Sequence, residues 1–193
     1  MPTLAARSAN PDTAAMDLAD LVRAAQRGER AATTELYARF HRAVHAVVLA
    51  HARYADAADL VQDVFVAALR RLADVQEPAA FPGWLMSIAR NTAIDHLRKR
   101  ARQLDHRQNV AAVSPSTTVA ENSSPSADAN RVLQALQTLP DAYRETLIMR
   151  LLEDMTGPEI AERTGLAPGS VRVNLHRGME MLRAALTPRA EAV

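Results

Sequence analysis

The amino-acid sequence predicts an all-α protein of two helical domains joined by a flexible linker. Three observations point that way. Aromatic residues make up only 4% of a chain that is 48% hydrophobic, so its cores are built from Ala, Leu and Val, which suits packed helices better than sheets. Six glycines leave little material for hairpin turns. Apolar residues recur at helical spacing in two blocks. Between those blocks, residues 108–128 are rich in Ser, Thr, Ala, Asn and Pro and have no large apolar side chain beyond valine. Such a stretch buries too little surface to offset its ordering entropy, so we read it as the linker.

In order along the chain, residues 1–15 mix Pro, Ala, Ser, Asn and Asp without period, which predicts a disordered tail. The first domain is placed at 16–107. Leu18, Leu21, Val22 and Ala25 share one face of a short helix that Gly28 ends. A second helix spans about Arg30 to Tyr54, with Leu36, Phe40, Val44, Val47 and Val48 at apolar positions. The third has the clearest period, Leu60, Val61, Val64, Phe65, Ala68, Leu69 and Leu72, with Asp56 as a candidate N-cap. Its opposite face carries Asp59, Gln62, Asp63, Val66 and Arg70. Pro78 and Pro82 bracket a loop before a fourth helix from about Gly83 to Arg102.

The second domain is placed at 129–187, with a C-terminal tail at 188–193. Val132, Leu133, Leu136 and Leu139 form its first stripe. After Pro140 comes a helix with the core face Tyr143, Leu147, Ile148 and Leu151. Thr156-x-x-Glu159 is a capping box, Pro158 is tolerated in a first turn, and Gly165 supplies a corner. Pro168 opens a last helix with Val171, Leu175, Gly178 and Leu182 inward. These features at this spacing make a helix-turn-helix, whose second helix presents Ser170, Arg172, Val173, Asn174, His176 and Arg177 outward. Early residues of such a helix reach base edges while flanking cations hold phosphates. An ordinary helical hairpin with a solvated face is the plainer alternative.

Composition excludes several classes. No cysteine is present, so disulfides, thiolate metal sites and a cysteine redox switch are ruled out within this chain. No apolar run reaches the length of a bilayer span and the first ten residues lack a signal-peptide core, so we expect no membrane insertion and a cytoplasmic protein. His41 and His45 stand one helical turn apart but have no evident third ligand, so no metal is expected. With no Gly-rich phosphate loop, nucleophile elbow or carboxylate pair, neither a cofactor nor catalysis is expected.

The net charge of +1 is uninformative, but its distribution is not. From Arg90 to Arg107 stand six basic residues (Arg90, Arg98, Lys99, Arg100, Arg102 and Arg107) against Asp95 and Asp105. Lys99 is the sole lysine, and an arginine-dominated set suits bidentate phosphate contacts. Trp84, Asn91 and Arg98 are seven residues apart and therefore share a stripe, with Ser87 and Asp95 beside it. Such a stripe can stack on a base, bond its edge and hold its backbone. For Trp84 alone, a core role is the simpler reading.

The block Asp59-Leu60-Val61-Gln62-Asp63-Val64-Phe65, followed by Trp84-Leu85, Ile88-Ala89-Arg90-Asn91, Ile94-Asp95 and Leu97-Arg98, strongly resembles region 2 of bacterial sigma factors of the extracytoplasmic-function (ECF) group. Leu139-Pro140, Glu159-Ile160-Ala161, Gly165, Gly169-Ser170-Val171-Arg172 and Leu175-His176-Arg177 resemble their region 4. The resemblance covers about residues 16–187. It implies a factor that binds core RNA polymerase and directs it to promoters, region 2 engaging the minus-ten element and region 4 the minus-thirty-five element. It places Asp59, Gln62, Asp63, Val66 and Arg70 on the polymerase clamp coiled coil. Asn91 and the loop around Ala80 and Phe81 would cradle a base flipped from the non-template strand. With few aromatics to support melting, a stringent promoter requirement is expected. An anti-sigma partner is a further implication.

The chain departs from the family pattern at Val173 and Asn174, where Ser and Arg are common, and at Ala167, where a Ser N-cap is common. A conventional operator-binding regulator is the alternative reading. It predicts tight DNA binding without polymerase.

Overall fold

The computed structural model describes the backbone of residues 16–110 and 127–187. The expected tails, and residues 111–126 of the expected linker, lie outside the described residues. Within them the chain is helical and no strand forms. Helix α1 is Leu18–Gln26, α2 Arg30–His51, α3 Ala57–Arg70 and α4 Phe81–Val110. A second group comprises α5 Ala127–Gln137, α6 Asp141–Leu151, α7 Gly157–Thr164 and α8 Pro168–Leu186. Short 3-10 turns occupy Tyr54–Asp56, Leu72–Asp74 and Pro78–Ala80.

Helix α2 is the axis of the first group. Helices α1, α3 and α4 all pack on it, and α3 also packs on α4. Leu21, Val22, Phe40, Val44, Val47, Val64, Leu85 and Ala89 are fully or almost fully buried there. Phe81 meets Phe40 edge-on at 5.2 Å between ring centroids, seating the start of α4 in that core. Gln26 Nε2 donates to the carbonyls of Leu72 (3.0 Å) and Val75 (2.8 Å), tying α1 to the chain that leads from α3 to α4.

In the second group, α8 packs against α5, α6 and α7. Gly178 makes the closest approach: a Cβ added there would stand 3.0 Å from Leu147 Cδ1 and 3.2 Å from Tyr143 Cβ. The capping box forms as expected. Thr156 N–H donates to Glu159 Oε2 at 2.7 Å, and Glu159 N–H donates to Thr156 Oγ1 at 3.4 Å. Gly165 takes φ +74°, the left-handed conformation that turns α7 into α8. Ala167 supplies no side-chain cap, and Pro168 opens α8 as anticipated.

Four expectations need correction. Asp56 precedes α3 with φ −94° and ψ −8° and makes no side-chain cap. The preceding 3-10 turn leaves it in helical geometry, and its carboxylate faces Arg100 (3.4 Å) and His96 (3.3 Å) on α4 instead. Leu69 is 47% exposed and lies at the rim of a groove rather than in the core. Leu151 is 45% exposed, whereas Glu145, Thr146 and Met149 of the same helix are buried. The cause is tertiary: α6 packs on α8 with one face and on α2 with the other. Finally, α4 runs to Val110, beyond the expected end at Arg102.

Two stability predictions follow from this packing. Gly178→Val should destabilise the chain by about 1–3 kcal/mol through overpacking against Leu147 and Tyr143, read as a lower midpoint in urea. An unchanged midpoint would show that the helices are not in close contact. Thr156→Ala should cost about 0.5–2 kcal/mol, and hydrogen exchange should localise the loss to the amides of α7. Uniform loss across the chain would contradict a local cap.

Candidate nucleic-acid interface

The outward face of α3 is formed as the periodicity requires. Asp59, Gln62, Asp63, Val66 and Arg70 are all exposed, and none of them makes a hydrogen bond or ion pair with the described residues. Leu69, 47% exposed, extends this face beside Val66. Next to it an apolar groove of about 300 Å³ is lined by Leu36, Tyr37, Phe65, Leu69, Leu72 and Phe81. Tyr37 and Phe65 stand 4.6 Å apart between ring centroids at its wall. No sequence signal marks this groove, because Leu69 falls within the apolar period of α3 and only the packing of its neighbours leaves it open.

The stripe along α4 is divided by burial. Phe81 is 3% exposed and belongs to the core, so of the loop pair only Ala80 faces solvent. Trp84 is half-buried, 5.8 Å from Phe81 between ring centroids. Ser87 is half-buried as well, and its hydroxyl donates to the Trp84 carbonyl at 2.6 Å, so it serves its own helix. Asn91 is exposed with its amide unengaged. Beyond it, Arg98 is loosely paired with Asp95 (3.6 Å), both largely exposed, which is worth little. Arg100 reaches Asp56, while Lys99 and Arg102 are exposed and unpaired among the described residues. Among the described side chains, this part of α4 thus offers Arg98, Lys99 and Arg102 to a phosphate backbone.

On α8, Ser170, Arg172, Val173, His176 and Arg177 are exposed. His176 Nε2 lies 3.4 Å from Glu180, one turn on, and the two arginines have no described partner. Asn174 differs: it is half-buried, and its amide donates at 3.5 Å to the Ala142 carbonyl on α6. The capping box starts α7 and Gly165, with φ +74°, ends it, so that α8 begins after a tight corner, the arrangement of a helix-turn-helix.

Between the two helical groups lies a set of charges that the sequence did not reveal. Glu145 of α6 is buried. Arg90 Nε and Nη2 donate to its two carboxylate oxygens at 2.7 Å each, from α4. His51 Nε2 lies 2.7 Å from Oε1. Burial pushes the Glu145 carboxyl up, but the hydrogen bonds from His51 and Arg90 and their charges outweigh it and leave the group below its usual range. The carboxylate is therefore ionised and accepts from both, so His51 carries its proton on Nε2. Arg90 is raised in turn, first by its hydrogen bond to Glu145. Because the folded carboxyl is depressed, this contribution is present above about pH 4.5 and is lost as pH falls through the folded value.

A second contact joins His45 Nδ1 to Glu153 Oε1 at 2.6 Å, with Arg42 at 3.8 Å. His41 stacks on His45 at 6.2 Å, and burial first, then the neighbouring His45, hold its pKa down. Among the described residues no group of three or more His, Cys, Asp or Glu side chains could hold a metal. No helix among them is long and apolar enough to cross a membrane.

The family described as Sigma-70 region 2 matches residues 36–103, and that described as Sigma-70, region 4 matches residues 129–182. RNA polymerase sigma factor CarQ of Myxococcus xanthus is 32% identical over 130 residues, covering 67% of this chain and 74% of that protein. The ECF RNA polymerase sigma factor SigW of Bacillus subtilis is 30% identical over 142 residues, covering 68% of this chain and 75% of its own. Among solved structures, CnrH in complex with the cytosolic domain of CnrY superposes with a TM-score of 0.55 at 27% identity, covering 88% of this chain and 96% of that one. Both regions are present in the order that the helices require, and the chain belongs to the ECF group of the sigma-70 family, the factors that direct RNA polymerase to promoters.

Proposed function

We propose that this initiation factor divides its work between two faces on two helical units, taken as residues 16–107 and 129–187. The α3 face docks on core RNA polymerase, Asp59 and Asp63 supplying charge, Gln62 a polar contact, and Val66 and Arg70 the apolar and cationic rim. The exposed end of α4 engages the proximal promoter element: Asn91 bonds a base edge beside Ala80 and Trp84, while Arg98, Lys99 and Arg102 hold phosphates. The start of α8 engages the distal element through Ser170, Arg172, Val173, His176 and Arg177. The carrying observation is that these faces are largely exposed and, apart from weak surface pairs, unengaged among the described residues. Arg100, clasped to Asp56, and Phe81, in the core, contribute by positioning α4.

Val173 in place of a donor makes an apolar contact, the kind a thymine methyl accepts, so it shifts distal-element preference. We place the protein in the cytoplasm beside the polymerase it serves. The neighbour CnrH is in complex with the cytosolic domain of CnrY. By that likeness, an anti-sigma partner is proposed here, with the apolar groove beside α3 as an accessible anchor.

Run-off transcription with purified core polymerase over a promoter library tests the reading. Asp63→Arg should leave the helical circular dichroism unchanged, since the side chain is exposed and makes no hydrogen bond or ion pair with the described residues. It should weaken holoenzyme formation at least ~10-fold, as expected for like-charge juxtaposition at an interface. Normal holoenzyme on a native gel would move the polymerase face elsewhere. Asn91→Ala should lose about 1–3 kcal/mol of discrimination at one proximal-element position. Equal loss on matched and mismatched promoters would refute its role as a base reader.

A further inference from the structure

We propose that Asp56 is a positioning residue for the contacts to promoter DNA. By clasping the back of α4, it holds Arg98, Lys99 and Arg102 where phosphates meet them. The inference rests on the preceding assignment of this part of α4 to the proximal element.

Helix α4 outruns its core. Leu85, Met86, Ile88, Ala89 and Ala93 are buried, whereas none of the side chains described over residues 94–103 is. A helical segment of that length has marginal stability without tertiary support. The turn before α3 supplies the support. Tyr54–Asp56 forms a 3-10 turn in which the Asp56 N–H donates to the Arg53 carbonyl at 3.0 Å. That backbone sends the Asp56 carboxylate to α4, where Oδ2 lies 3.4 Å from Arg100 Nη1 and 3.3 Å from His96 Nε2. The His96 nitrogen is shut off from solvent, and the Asp56 side chain is only 22% exposed, so this clasp is less screened than a surface pair.

The clasp and the phosphate-facing cations lie on opposite sides of the helix. At about 100° per residue, Arg98 and Arg102 are each about 160° round α4 from Arg100. Arg100 is therefore the handle of the helix and not one of its DNA contacts. Without the clasp, a kink of about 20° at Ala93 would carry Arg102 by about 5 Å. No hydrogen bond to a phosphate survives such a shift. Asn91 is placed differently. It stands between Ala89 and Ala93, both fully buried, so the core fixes it without help from Asp56. Asp56 thus governs how firmly the DNA backbone is held and leaves base reading alone. Simple electrostatics would act the other way, because deleting a carboxylate near DNA raises the local positive charge and tightens binding.

The salt dependence of promoter binding by holoenzyme, assembled from the full chain and core polymerase, separates these cases. Each phosphate contact contributes about 0.9 to the slope of log affinity against log salt. Asp56→Ala should lower that slope by about 2–3, because several contacts are lost together. Arg100→Ala opens the same clasp from the other side and should do likewise, whereas an arginine that merely touched one phosphate would cost about 0.9. The double variant should be no worse than either single one, since both undo one interaction. The ratio of affinities for matched and mismatched proximal elements should hold in all three. A slope lowered by one contact or less, a steeper slope, or additive losses in the double variant overturns the proposal. So does a matching loss of holoenzyme formation, which would move Asp56 to the polymerase face. Should Asp56→Ala lose its helical circular dichroism, Arg100→Ala still decides. If wild-type holoenzyme does not distinguish matched from mismatched promoters, it is the assignment of function that falls.

Discussion

Helix α6 is buried on two sides, and much of the structure depends on that constraint. One face packs Leu147 against Gly178 of α8, completing the helix-turn-helix core. The other puts Met149 and Glu145 against α2 and α4. Packing on two sides buries Glu145 while Asp141 and Arg150 stay exposed, so this one buried charge must be answered locally. Arg90 and His51 answer it, with three hydrogen bonds of 2.7 Å. Removing one partner from such a buried set leaves uncompensated charge, at about 3–5 kcal/mol, although Arg90, with over a third of its side chain exposed, lies toward the screened end.

The same constraint orders the functional surfaces. Charges used within the molecule lie along its internal seam: Arg90, His51, Glu145, His45 and Glu153. Charges and amides assigned to outside partners lie away from it, on the outer faces of α3 and α8 and the far end of α4, largely without internal partners. Asp56 shows both uses at once. It anchors Arg100 and His96 and so orients α4, while Lys99 and Arg102 on either side of Arg100 remain free among the described residues. The division follows from solvation, since a cation already clasped by a carboxylate has less to offer a phosphate.

Much of the candidate site was legible because it consists of exposed residues on amphipathic helices. Helical period alone locates the outward face of α3, and the capping box with its corner glycine locates α8. Leu69 and Leu151, expected in the core, are exposed for one shared reason. Each stands at an edge of its helix face, where the neighbouring helix rather than the period decides burial. Asp56 failed as a cap because the 3-10 turn before it, which no sequence signal marks, set its backbone in helical geometry.

The sequence by itself determined the all-helical architecture, the order of the two units and the chemistry of their outer faces. Each of these depends on the spacing of residues within one helix or turn. The tertiary structure decided how the units meet, and with that the burial of Glu145, its pairing with Arg90 and His51, and the pairing of His45 with Glu153. Those contacts join residues 94, 55 and 108 positions apart, as in His51–Glu145, Arg90–Glu145 and His45–Glu153. Periodicity carries no information over such separations, because it reports which face of a helix is apolar and not which partner will cover it.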